Sequence, residues 1–297
     1  MAQKLLVIGS SGLLGREVAR SALARGMEVV GTYAHREWSA PWEQHQLELQ
    51  SDRAVSHLIA EEAPWAVALC GGMTSLEECE HRPVDAYSVN MEGTFTVAVA
   101  CKKIGARLLF YSSDAVFSGA SEMPHYEFDM PDPLSVYGKT KLEGERLVLD
   151  ASHDNLVCRL ALLYGKRPPG GRHNLASLVR EELTMGKEVR LISDHFVTPT
   201  YAPEAASASL DLLEGMQHGT WNVCAGVCMS KFNFGRAVAE EFDLPLSLLR
   251  PVTTEEMGFI APRPPRACLI NDKLQATVDT PMSAPNEGLR LMHIAPD

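Results

Sequence analysis

Apolar positions in this chain fall into two alternating rhythms. Lys4 to Ile8 is an almost unbroken apolar run of strand length with turn residues directly after it, which predicts a buried strand. Leu14, Val18, Ala22 and Leu23 then recur at helical spacing, and Gly26 sits where a helix C-terminus would place it. The alternation continues through Glu28 to Tyr33 (strand), Trp65 to Cys70 (apolar run) and Val84 to Ala106 (helix, with Val89, Phe95 and Val99 in phase). Arg107 to Tyr111 reads as a further strand. A proline-rich loop (Pro124, Pro131, Pro133) leads to a helix holding Tyr137, and Leu156 to Leu163 is another strand. Strand and helix in turn predict an α/β fold, a doubly wound parallel sheet with right-handed crossovers.

From Tyr164 the rhythm breaks. Gly165-Lys166-Arg167-Pro168-Pro169-Gly170-Gly171-Arg172 is a basic loop, followed by a helical pattern from Asn174 to Met185. Asp194 to Tyr201 has no period and is expected to be irregular. Pro203 to Met216 reads as a helix, and Thr220 to Cys224 as a strand able to rejoin the sheet. Phe232 to Phe242 (helix) and the proline-rich Arg263-Pro264-Pro265-Arg266 stretch point to a smaller C-terminal lobe. The expected division gives residues 1–165 with 194–226 to the sheet domain, and 166–193 with 227–297 to the smaller lobe. There are no repeats or low-complexity segments.

Composition narrows the partners. The 297 residues are 45% hydrophobic and 22% charged, the balance of a water-soluble globular protein. A formal net charge of −11 argues against nucleic acid or an anionic membrane as the main partner. An anionic small molecule would then need a local basic site. Met1-Ala2-Gln3-Lys4 runs straight into the first strand, too short for a signal peptide or membrane span, so a cytoplasmic location is expected. A homodimer is compatible with this surface. The 7 cysteines are scattered, with Cys224 and Cys228 the nearest pair and no histidine cluster beside them. Buried, reduced thiols and no metal site are therefore expected.

Candidate chemistry begins at Gly9-Ser10-Ser11-Gly12-Leu13-Leu14-Gly15, between strand and helix. Gly9 permits the tight turn, Gly12 lets backbone approach a pyrophosphate, and Gly15 lets helix lie against strand. The expected cofactor cradle is Gly9, Ser11, Gly12, Leu13, Leu14 and Gly15. His35 and Arg36 follow the second strand, where an arginine suits the 2′-phosphate of NADP, so NADP(H) is expected over NAD(H) despite Glu37 next door. Cys70, Gly71 and Gly72 close the third apolar run and can lie near the same cofactor. Tyr137 and Lys141, four apart, share one helix face. An ammonium beside the phenol would favour its anion, so the Tyr137 pKa is expected to fall from about 10 towards neutrality. Such a phenol can give a proton to a carbonyl oxygen. Ser113, with Asp114 at the C-terminal end of its strand, can hold the same oxygen as charge builds.

Taken together these segments resemble the extended short-chain dehydrogenase/reductases and, within them, the dTDP-4-dehydrorhamnose reductase family. The likeness rests on the glycine turn, Thr74-Ser-Leu-Glu77-Glu-Cys-Glu80, Asn90-Met-Glu-Gly93-Thr94 and Ser112-Ser113-Asp114-Ala-Val116-Phe117-Ser-Gly119. It continues in Tyr137-Gly138-Lys139-Thr140-Lys141-Leu-Glu-Gly144-Glu145, Thr198-Pro199-Thr200-Tyr201 and Arg263-Pro264 with Lys273-Leu274. The resemblance implies a Rossmann fold with a smaller C-terminal substrate lobe, and an NADPH-dependent reductase of a 4-keto sugar nucleotide. By position it implies Ser113, Tyr137 and Lys141 as the catalytic set, with Tyr137 and Lys141 also touching cofactor. Substrate contacts would come from Thr74, Ser113, Asp114, Asn174 and Arg263, with Arg167 and Arg172 nearby.

Two positions depart from that pattern. Ala115 and Leu162 stand where many members carry aromatic residues that shape the sugar pocket, which puts the rhamnose precursor in doubt as substrate. Ala115, in place of a glutamate, also counts against a sugar-nucleotide dehydratase, while an epimerase stays open. The stretch from Gly219 to Leu274 is similar to the regulatory β-subunit of methionine adenosyltransferase as well. That likeness implies an alternative, a non-catalytic NADP-binding subunit.

Overall fold

The computed structural model describes residues 3–35 and 37–295, so Arg36 lies outside the described residues. The first strand, β1 (Lys4–Ile8), sends Leu5 and Val7 into one core cluster and Leu6 and Ile8 into another. That is the two-residue period of a strand buried on both faces. It is joined by β2 (Glu28–Tyr33), β3 (Glu43–Gln46), β4 (Ala66–Leu69), β5 (Arg107–Ser113), β6 (Leu156–Leu160) and β7 (Gly219–Asn222). Among the described residues these form one parallel sheet in the order β7-β6-β5-β4-β1-β2-β3. The chain runs from β1 outward to β2 and β3, then returns to β4 on the other side of β1. That reversal opens a crevice at the carboxyl ends of β1 and β4, where open α/β sheets bind ligands.

Nine helices matter for the site among the described residues: α1 (Leu13–Ala24), α2 (Asp52–Glu62), α3 (Leu76–His81), α4 (Pro83–Tyr87), α5 (Gly93–Ile104), α6 (Val136–Ala151), α7 (Leu175–Thr184), α8 (Ala202–Glu214) and α9 (Lys231–Glu241). One sheet face is covered by Val18 and Ala22 of α1 and by Leu210 and Leu213 of α8. The other is covered by Val55 and Ile59 of α2, Val97 of α5 and Val148 of α6. Each fully buried valine, leucine or isoleucine contributes about 1.5–3 kcal/mol on leaving water. The segment expected as one helix from Val84 contains a wide π turn, Ser88–Glu92, between α4 and α5. Gly105, at φ 72°, then ends α5 in the left-handed conformation.

Beyond the sheet, α7, α9 and the helix Pro285–Ile294 surround a third cluster that includes Val179, Leu191, Phe234, Val238 and Met292. A parallel ribbon, Val189–Ile192 with Leu249–Val252, backs it. The stretch expected to be irregular holds two short strands instead. Phe196–Val197 pairs antiparallel with Met229–Ser230, and Thr200–Tyr201 pairs parallel with Leu163–Tyr164. Two-residue strands with partners far along the chain leave no period to read. The same ribbon corrects the expectation of reduced thiols. Cys228 and Cys268 form a disulfide, Cα atoms 5.6 Å apart, because the segments before Met229 and after Arg266 both flank Phe196. Cys70, Cys79, Cys101, Cys158 and Cys224 are free. Among the described residues no helix is long and apolar enough to cross a membrane.

Candidate active site

At the crevice the walls are backbone. Gly9 adopts φ +88°, and a Cβ on it would lie 2.6 Å from the Gly71 nitrogen, while one on Gly15 would run into the Gly9 carbonyl oxygen. The Gly12 N–H donates to the Gly9 carbonyl at 3.1 Å. Thr32 ties the turn to β2, accepting from the Gly9 N–H at 3.1 Å and from the Ser10 hydroxyl at 3.1 Å. Gly12 caps α1 without a side-chain bond. The N–H groups of Leu13, Leu14 and Gly15 therefore stand ahead of the helical ladder, at the positive end of the helix dipole. Ser11 lies within this turn. Across the crevice, the Cys70 and Gly71 N–H groups are taken by the Ile8 carbonyl at 2.9 and 2.8 Å.

The sequence reading missed a cation here. Arg16, in the first turn of α1, stacks 4.9 Å from the Trp38 ring, and its Nε is buried without a partner. His35 is exposed and sits 3.1 Å from Glu48. A cradle that a Cβ would fill and an orphaned guanidinium nitrogen on the adjoining helix fit an anionic dinucleotide.

Ser113 ends β5 and caps the short turn Asp114–Val116, accepting from the Ala115 N–H at 3.1 Å and donating to Asp114 Oδ1 at 2.8 Å. Ser135 caps α6 by accepting from the Gly138 N–H at 3.1 Å, and Glu80 accepts from the Val136 N–H at 2.7 Å. A Cβ on Gly138 would run into the Ala115 carbonyl oxygen, so helix and turn pack directly together. This contact sets the Tyr137 phenol near Ser113, whose hydroxyl acts on its ionisation. One turn on, Lys141 is buried with its ammonium 4.1 Å from the Phe110 ring centre.

The expected fall in the Tyr137 pKa is not found. Burial holds the phenol above its ordinary value, Ser113 opposes only in part, and the Asp114 carboxylate pushes the same way as burial. Burial also lowers Lys141 to about 8, against the opposing charge of Glu145. The spacing Tyr137-to-Lys141 gives the shared face but says nothing about how deep that face is buried. The phenol here is a neutral donor.

Asn90, inside the π turn, fastens the neighbouring loop to this helix. Its side chain accepts from the Met73 N–H at 2.7 Å and donates to the Met73 carbonyl at 2.9 Å and Thr140 Oγ1 at 3.1 Å. Thr140 in turn donates to the Tyr137 carbonyl at 2.8 Å. A Cβ on Gly72 would lie 2.9 Å from Asn90 Oδ1, and Thr74 is exposed just beyond.

The facing wall comes from the chain's second half. Arg263 Nη2 donates to Glu77 at 2.9 Å, its guanidinium stacks 3.9 Å from the Phe259 ring, and its Nε is buried without a partner. Two residues absent from the sequence reading stand with it. His195 is 5% exposed with Nδ1 unpartnered, and its carbonyl accepts from the Lys231 N–H at 3.1 Å. Burial, with the charges of Lys231 and Arg263, lowers His195 to about 2, so its ring is neutral. Burial lowers Lys231 to about 8, Arg263 adding to the shift and Asp114 opposing it. Asp114 is raised to about 6, mainly by burial, with Ser113 and Lys231 acting against it.

Asn174 caps α7, accepting from the Ser177 N–H at 3.1 Å and donating to the Gly165 carbonyl at 2.8 Å, which leaves one N–H of its amide for a ligand. Arg172 is exposed and bonds Glu78 at 3.1 Å, and Arg167 lies 3.5 Å from Glu181. Leu162 packs against the third core cluster and Ala115 is buried under α6, so neither leaves an aromatic wall.

A glycine crevice at the switch point of a parallel sheet, with serine, tyrosine and lysine gathered beside it, defines the arrangement of an extended short-chain dehydrogenase/reductase. Residues 3–294 match the family described as RmlD substrate binding domain, and the chain belongs to that family. Among curated proteins it is 31% identical over 266 residues to a probable low-salt glycan biosynthesis reductase of Haloferax volcanii, covering 89% of this chain and 88% of that one. It is likewise 31% identical over 280 residues to methionine adenosyltransferase 2 subunit beta of Rattus norvegicus, covering 92% and 82%. A solved dTDP-4-dehydrorhamnose reductase from Clostridium acetobutylicum superposes with TM-score 0.87 at 28% identity, covering 98% of both chains. One from Bacillus anthracis, in complex with NADP, has TM-score 0.88 at 24% identity over 99% of both chains and shares the fold.

Proposed function

We propose that this protein is an NADPH-dependent reductase of a 4-keto sugar nucleotide, with Tyr137 as proton donor. The observation that carries this reading is the neutral, half-buried Tyr137 phenol beside Ser113 at the mouth of the glycine crevice. The turn Gly9 to Gly15, the Cys70-Gly71-Gly72 edge and Lys141 would hold the dinucleotide, with Arg16 and Arg36 as candidate cations for its 2′-phosphate. When bound, NADPH supplies a hydride. Tyr137 gives its proton to the carbonyl oxygen as that oxygen gains charge, and Ser113 turns its hydroxyl from Asp114 to the same oxygen. Lys141, one turn along the same helix, supplies positive charge to the site. The lobe formed by residues 166–193 and 227–297 would seat the sugar nucleotide, with Arg263 near its diphosphate.

A panel of 4-keto sugar nucleotides, followed by NADPH absorbance, tests this. Tyr137→Phe should keep fold and cofactor affinity and lose about 10² or more in turnover, since the oxygen loses its donor. Full-rate turnover in that variant would remove the mechanism. Titrating NADPH and NADH should show NADPH preferred, with Arg36→Ala losing about ten- to a hundredfold of that preference.

A second reading is supported by the likeness to methionine adenosyltransferase 2 subunit beta. In that reading the chain is a cofactor-binding regulatory subunit. Absence of turnover on every sugar nucleotide, together with recovery of a stoichiometric enzyme partner, would favour it.

A further inference from the structure

About two turns beyond Tyr137, α6 carries a charged group that the mechanism does not use. Glu145 follows Lys141 by the same spacing that separates Lys141 from Tyr137, so all three lie along one side of the helix. Its carboxylate is held by both strands beneath it. Arg159 of β6 donates from Nε at 2.9 Å and from Nη2 at 2.7 Å, and the Ser112 hydroxyl of β5 donates at 2.5 Å. Ser112 and Arg159 are direct partners in the β5–β6 ladder. Ser112, Glu145 and Arg159 are 4%, 3% and 4% exposed. Arg159 also donates to the Glu127 carbonyl at 3.2 Å, in the loop that leads into α6.

A buried ion pair of this kind adds little net stability over a well-packed apolar pair of similar size. What it has in addition is direction, because a two-bond fork closes in one geometry. Gly138 against the Ala115 carbonyl and Gly144 against the Phe110 ring set how closely α6 approaches β5 and the turn after it. The bonds of Glu145 add the rotation and slide of helix on strand. Ser112 is the chain neighbour of Ser113, so one carboxylate ties the strand end that carries Ser113 to the helix that carries Tyr137 and Lys141.

We propose that Glu145 is a positioning residue for the reaction, clamped by Arg159 and Ser112 so that Tyr137 and Lys141 stand in register with Ser113. The proposal rests on the reading of those three residues as the catalytic set. In that reading Ser113 and Tyr137 meet one carbonyl oxygen from two separate elements, and a misplacement of about 1 Å costs on the order of 10² in rate.

The test is a double-mutant cycle with Tyr137, read as kcat on the 4-keto sugar nucleotide that the panel above shows to turn over fastest. Ser112→Ala keeps the Glu145–Arg159 pair and cuts its tie to β5. It should lower kcat about tenfold when Tyr137 is present, and less than about twofold in Tyr137→Phe, where no phenol hydroxyl is left to misplace. Glu145→Met combined with Arg159→Met removes both charges together. That variant should melt near wild type and still lose about tenfold or more in kcat. If it melts early, the Ser112 cycle decides alone. A loss from Ser112→Ala that is absent, or equal with and without the phenol hydroxyl, overturns the proposal, as does full kcat in the doubly apolar variant; each outcome leaves Tyr137 as the donor. Full-rate turnover by Tyr137→Phe, or none by wild type on any sugar nucleotide, overturns the catalytic set and the proposal with it.

Discussion

The two walls of the cleft are built on opposite terms. On the β1 side the turn is bounded by backbone: a side chain on Gly9 would meet the Gly71 backbone, and one on Gly15 would meet the Gly9 carbonyl. On the other side, long polar side chains from distant segments do the work, and α3 holds several of them. Glu77 accepts from the Ile260 N–H at 3.0 Å, the Ala261 N–H at 3.2 Å and Arg263 at 2.9 Å. Glu78 takes Arg172 at 3.1 Å, and Glu80 takes the Val136 N–H at 2.7 Å. A wall of backbone fixes position absolutely and reads only a shape common to many ligands. A wall of side chains is adjustable, and ligand identity can be rewritten there without disturbing the sheet.

The sharpest way to break this contrast is Gly15→Val. Its side chain has no space against the Gly9 carbonyl, so the β1–α1 packing must open. We expect a stability loss of about 4 kcal/mol or more, with cofactor affinity abolished, read by denaturant melts and fluorescence titration. Unchanged cofactor binding would show that the crevice tolerates side chains.

Glu77→Gln should do less, and differently. The amide keeps the shape but leaves the half-buried Arg263 without its counter-charge, at about 1–3 kcal/mol of stability. The KM for sugar nucleotide should rise about tenfold while kcat changes less than twofold, since the lost interaction lies away from Tyr137. A fall in kcat with KM unchanged would contradict a role confined to the adjustable wall.

The smallest effect expected comes from pH. His195 is lowered to about 2 in the fold from an ordinary 6.5, first by burial and then by Lys231 and Arg263. Between those values the unfolded chain binds the extra proton, so stability falls as pH drops below 6.5. Asp114, raised to about 6, works with the opposite sign below that pH, and comparing variants at matched pH removes its share. His195→Asn should therefore lose fewer degrees of melting temperature than wild type between pH 6.5 and 5, a difference on the order of 2 °C. Parallel curves for the two proteins would place the histidine in water.

The backbone wall was legible in the sequence because its parts are contiguous. Strand, glycine turn and helix follow one another from Lys4 to Ala24, and Tyr137 and Lys141 share one helix. The side-chain wall was not. His195, Lys231 and the pair Cys228–Cys268 meet only through strands of two residues, which carry no periodic signal. Burial was the other blind spot. It reversed the expected direction of the Tyr137 shift, since spacing along a helix says nothing of how far a side chain is withdrawn from water.

The wide turn Ser88–Glu92 bears on how this chain could change its length. A π turn carries one residue more than an α turn, and each helical residue rotates the chain by about 100°. Deleting Met91 or Glu92 there would yield a more regular helix, yet it would swing the preceding segment out of phase with α5. Asn90 would then leave the Met73 loop and Thr140 together. The irregular helix is in this sense locked: the shorter, more ideal version is closed to it by one amide side chain on the far side of the cleft.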